Sequence, residues 1–176
     1  MSAMTTRDRF FSFPNPVNEV SARLVATGVV AQAGLYLVTR WPVLLVTLAY
    51  GFLARVLTGP KLSPLGQFVT RVLTPRLPFA EKLTPGPPKR FAQAMGLAFS
   101  GTALLSWALG SALIPVLMIS ALIFAASLEA FAGYCLGCKI FGLLMRAGII
   151  PSDVCEECND LSLRWDRQRA SAGTPA

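Results

Sequence analysis

Four apolar runs stand out when hydrophobic and polar positions are marked along the chain, at about residues 20–38, 41–57, 91–109 and 111–134. A helix needs roughly 20 apolar residues to cross the hydrocarbon core of a bilayer, and each run meets or nearly meets that length. None carries the polar stripe at helical period that marks a surface helix of a soluble domain. The pattern predicts an all-α fold, a four-span transmembrane helix bundle. Two runs are slightly short. Arg23 and Arg55 sit near the ends of their runs, where long basic side chains are expected to snorkel to the headgroups.

The polar segments divide the rest of the chain. Residues 1–19 (MSAMTTRDRFFSFPNPVNE) are broken by Pro and Asn, and no small-residue cleavage site follows a short apolar core. They read as a cytosolic tail and not as a signal peptide. Residues 20–150 form the membrane domain, and residues 151–176 a cytosolic cap and tail. Arg40-Trp41-Pro42 and Gly110-Ser111 mark tight turns inside two hairpins. Between the hairpins, Leu65, Phe68, Val69, Val72 and Leu73 recur at helical spacing, which predicts a short helix lying on the membrane surface. The stretch TPGPPKR at 84–90 reads as a linker.

A shift of 73 residues superimposes Leu24 on Leu97, Gly28 on Gly101, Pro42-Val43-Leu44 on Pro115-Val116-Leu117, Phe68 on Phe141 and Pro78 on Pro151. The layout repeats as well: span, tight turn, span, amphipathic segment, proline. Two parallel hairpin repeats, each followed by a surface helix, account for this, and so do two ordinary hairpins. On the repeat reading, Lys139 to Ile150 is the second surface helix.

Charge then fixes an orientation. The chain has 16 Lys and Arg against 9 Asp and Glu. With four spans, every basic residue except Arg40 falls on one side. Basic loops are retained in the cytosol, so both termini are expected there. The charges are scattered through loops, which argues against a nucleic-acid surface.

The chain has no histidine, which excludes Ser–His and Cys–His nucleophiles and histidine-ligated metals. Chemistry is left to four cysteines in two CxxC pairs, Cys135/Cys138 and Cys155/Cys158. Two readings are open. The spacing suits a four-thiolate zinc site made by all four cysteines. It also suits a dithiol, in which Lys139 and a helix beginning near the first pair favour thiolate at Cys135 and Cys138. Asp153, Glu156, Glu157 and Asp160 surround the second pair and disfavour its thiolates. Cys155 and Cys158 would then relay or resolve.

Glu129 is the sole acid inside a predicted span, a position that suggests an ion or proton path. An interfacial pairing with Arg55 is the plainer expectation. Gly133 and Gly137 have small-xxx-small spacing, which suits close helix contact.

The segments FPNPVNEVSARLV, GFLARVLTGPKLSPLGQ and EAFAGYCLGCKIFGLL, with the CEEC that follows, resemble the uncharacterised bacterial membrane family catalogued as domain of unknown function 4395. The resemblance covers roughly residues 13–165. It implies a small multi-pass protein of the bacterial inner membrane and no established activity. The four-helix layout is more loosely similar to DoxX-like membrane proteins associated with thiol and sulfur oxidation, an architectural analogy. The expected function is thiol redox or sulfur metabolism at the cytosolic face, with a thioredoxin- or rhodanese-like partner. A zinc-clamped scaffold, a small transporter using Glu129, and self-association in the bilayer remain open alternatives.

Overall fold

The computed structural model describes residues 15–76 and 83–155. A two-residue strand, β1 (Val17–Asn18), leads into α1 (Glu19–Thr39), and Asn18 caps that helix by accepting from the Val20 amide at 2.9 Å. Such a cap satisfies one of the amides that a helix start leaves without a partner. The chain reverses at Arg40, held in the left-handed region at φ 56°. The helix α2 (Pro42–Thr58) follows at once, with proline in its first turn, where its missing N–H is not needed.

A 3-10 turn (Gly59–Lys61) then precedes α3 (Pro64–Phe68), which continues through one π-type and one 3-10 turn to Arg76. This is the predicted surface segment. Val69 is its buried anchor and Phe68 is exposed. A second short strand, β2 (Leu83–Thr84), pairs antiparallel with β1. Three longer elements follow, α4 (Gly86–Ala108), α5 (Leu113–Ala132) and α6 (Leu136–Arg146), and a 3-10 turn (Ser152–Cys155) ends the described chain.

Three helical stretches, Glu19–Thr39, Pro42–Arg76 and Leu113–Ala132, are long and apolar enough to cross a membrane. The 23-residue helix α4 is long enough, but it carries Lys89, Arg90, Gln93, Ser100, Thr102 and Ser106. Its serines are satisfied within the helix. Ser100 donates to the Gly96 carbonyl at 2.8 Å and Ser106 to the Thr102 carbonyl at 2.7 Å, so neither needs water.

The linker reading of 84–90 does not hold. The helix α4 begins at Gly86, and Pro87 and Pro88 sit in its first turn, where proline is tolerated. The small-xxx-small pair does not hold either. Gly133 ends α5 in the left-handed region at φ 65°, so Gly133 and Gly137 lie on different helices and share no face.

Packing is interlaced. α1 lies mainly against α5 and α2 mainly against α4, with α4 also against α5. The centre is small and apolar: Ala33, Leu45, Ala103 and Ile119 are fully buried. The outside is apolar too, with Val38, Val43, Leu105, Leu117 and Phe124 exposed. That is the surface of a chain solvated by lipid.

Gly96 faces Phe52 so closely that a Cβ there would lie 2.2 Å from the ring. Gly137 meets the backbone of α4, where a Cβ would lie 2.6 Å from the Cα of Ala92. The second contact seats α6 across the end of the bundle.

Candidate functional site

The antiparallel run of helices brings the start of α1, the end of α2, the start of α4 and the end of α5 to one end of the bundle. There the apolar interior gives way to a buried polar cluster. Arg55, Ser63 and Lys89 are all less than a tenth exposed.

Arg55 does not snorkel. It turns inward from α2, donating from Nε to Gln93 Oε1 at 2.8 Å and from Nη1 to Ser63 Oγ at 3.1 Å. Its guanidinium also lies 4.5 Å from the centre of the Phe52 ring. Ser63 is doubly used, because its hydroxyl caps α3 by accepting from the Gly66 amide at 3.2 Å. Arg23 instead reaches the end of a helix. It donates to the carbonyls of Ala130 and Phe131, which the end of α5 leaves without internal partners.

Glu129 forms its ion pair with Lys89, at 2.5 Å, and not with Arg55. The expected pairing fails because Lys89 belongs to the first turn of α4 and points into the bundle. A reading that places 84–90 in a linker cannot find it.

Next to this pair lie the thiols. Cys135 is the N-cap of α6, and its Sγ accepts from the Cys138 amide at 3.3 Å. The Cys138 thiol donates to the same sulfur across 2.6 Å. Both are free cysteines. The two thiols are driven apart in acidity. Cys135 is held below the usual thiol range, first by the hydrogen bond from the Cys138 thiol. Burial and Glu129 oppose that effect, while Lys89 and the Cys138 amide assist it. Cys138 is pushed up, because its proton is committed to Cys135 and because it is buried beside the resulting negative charge. The pair thus favours negative charge on Cys135 over Cys138.

Lys89 is thus a cation acting on Cys135 that sequence reasoning missed. Lys139 sets its ammonium 5.4 Å from the Tyr134 ring.

Cys155 is buried and disulfide-bonded. Cys158, with Glu156, Glu157 and Asp160, lies outside the described residues. Among the described residues no three His, Cys, Asp or Glu side chains gather as a metal-binding group.

A cavity of about 200 Å³ lies against Arg55 and Ser63, and two more flank the cluster. One, of about 60 Å³, is lined by apolar side chains of α1, α4 and α5 and reaches Gln93, Glu129 and Cys135. The other, of about 190 Å³, opens between β1, α1 and the α2–α3 connection, with Arg55, Lys89 and Gln93 in its wall.

No curated protein and no solved structure gives a match to the chain. Residues 17–146 match the family described as Domain of unknown function (DUF4395), a stretch that holds every span, the buried cluster and the first CxxC pair. The chain belongs to that family.

Proposed function

We propose that this is a four-span membrane protein that carries out thiol–disulfide exchange through Cys135 and Cys138. The observation that carries the reading is the cap of α6. One sulfur accepts both the amide and the thiol of the residue three positions on, and it sits at the positive end of a helix beside a buried lysine.

Cys135 attacks one sulfur of a partner disulfide, and the partner's other sulfur leaves as a thiolate. Cys138 gives up its proton and attacks the Cys135 sulfur of the mixed disulfide, releasing the second partner sulfur. The partner is reduced by two electrons and the Cys135–Cys138 pair is oxidised. Cys155 and Cys158 form the relay pair in this scheme. A cytosolic thioredoxin- or rhodanese-like protein is the partner class.

On this reading α4 is the fourth span and both termini are cytosolic. Interlaced packing supports the two-hairpin repeat, since exchanging the halves maps the α1–α5 contact onto the α4–α2 contact.

The test is differential alkylation of the purified protein. Cys135 is expected to react first at neutral pH. Cys138→Ser is expected to trap a mixed disulfide at Cys135 when a disulfide-bonded thioredoxin is added. Equal reactivity of both thiols, or one tightly held zinc per chain that blocks both, overturns the proposal.

A further inference from the structure

We infer that the 190 Å³ cavity beside the cluster is a binding site for a small oxyanion, held by Arg55 and Lys89. The argument is one of charge, and it is strongest where Cys135 carries none, since that sulfur acts on Lys89.

Arg55 and Lys89 bring two positive charges to the bundle end, each side chain less than a tenth exposed. Glu129 supplies one negative charge, and it is bound to Lys89. Among the described residues no carboxylate lies within ion-pair distance of Arg55. Its partners are the neutral Gln93 and Ser63 and the face of Phe52. A buried cation with no carboxylate in contact is costly.

Arg55 and Lys89 both form part of the wall of this cavity. Arg55 Nη2 makes no hydrogen bond to the described residues, and the Lys89 ammonium has donors beyond the one on Glu129. Asn18, Ser21 and Thr70 add polar side chains to the same wall. Arg55 and Lys89 share the wall of one cavity, and a guanidinium with an ammonium is the donor set that a tetrahedral oxyanion takes. The volume exceeds that of a few waters and admits an ion of phosphate or sulfate size. The ligand is therefore a phosphate- or sulfate-like group, either a free ion or the headgroup of an anionic lipid.

The experiment uses the full chain in detergent and in lipid nanodiscs. In detergent, sulfate and inorganic phosphate are titrated against chloride at constant ionic strength, and binding is followed by calorimetry and by the unfolding midpoint. In nanodiscs, phosphatidylcholine alone is compared with phosphatidylcholine containing phosphatidylglycerol. Saturable one-to-one binding of sulfate or phosphate identifies a free ion. A raised midpoint in phosphatidylglycerol discs without binding of either ion identifies a headgroup.

In either arm Arg55→Gln is expected to weaken the effect by about tenfold or more. Ala22→Leu fills the same cavity and leaves every charge in place, so it decides the matter if Arg55→Gln does not fold. Absence of an effect in both arms, or an effect that survives both substitutions, overturns the inference.

Discussion

Gly137→Ala should unseat α6 and with it the thiol pair. An ideal Cβ at Gly137 lies 2.6 Å from the Cα and from the Cβ of Ala92. One of those atoms is backbone, so no change of rotamer relieves the contact, and a gap of about 1 Å must open between α4 and α6. Overpacking of this kind costs about 1–3 kcal/mol.

The same substitution gains at most about 0.5–1 kcal/mol from helix propensity. Gly142 supplies the control. It lies on the same helix, with nothing within 4 Å of its would-be Cβ, so Gly142→Ala gains the propensity without the clash. Unfolding of both variants in one detergent should therefore place Gly137→Ala below Gly142→Ala by about 1–3 kcal/mol. Cys135 alkylation should also lose its lead over Cys138 in Gly137→Ala alone. Equal stability of the two variants would refute the idea that a backbone contact at Gly137 positions the CxxC.

Three further outcomes follow from the same geometry. The Cys135 thiol is shifted down in the folded chain. Its charge therefore contributes stability fully above the unfolded thiol value of about 8.5 and loses that contribution as pH falls through the folded value; acid titration of wild type against Cys135→Ser reads the difference, and parallel curves contradict it. Lys89→Met leaves Glu129 as a largely buried carboxylate without its ion pair and should cost about 3–5 kcal/mol in unfolding experiments, with much of the loss recovered in Lys89→Met/Glu129→Leu. Oxidising Cys135 and Cys138 to a disulfide removes a negative charge beside Lys89, so sulfate or phosphate should bind the oxidised protein more tightly than the reduced one, as a calorimetric comparison would show.

Hydropathy alone located the long helices to within a few residues at most ends, because lipid-facing segments must be apolar throughout. It misplaced the start of α4, where Pro87 and Pro88 look like helix breakers and are first-turn residues. That error hid Lys89, whose helical setting turns it toward Glu129. Arg55 was misjudged for a related reason. Position near a span end suggests a headgroup partner, whereas the hydroxyl that receives it, Ser63, is brought in by the turn at Gly59–Lys61. The CxxC pair was legible from spacing, and a helix beginning beside it was expected. The sharing of one sulfur by an amide and a thiol depends on Cys135 being the N-cap itself, which spacing alone does not settle.

The interlaced packing has a consequence for how the chain enters a membrane. On the proposed four-span reading, helices inserted in order of synthesis deliver α1 and α2 first, yet the main partner of each belongs to the second hairpin. Until α4 follows, Arg55 has neither Gln93 nor the shelter of the closed bundle, and a half-made protein holds a cation facing lipid. The first hairpin should therefore be a poor resident of the bilayer by itself, retained at the insertion machinery until the second hairpin joins it. Truncation after Arg76 would then give a short-lived fragment, not a stable half.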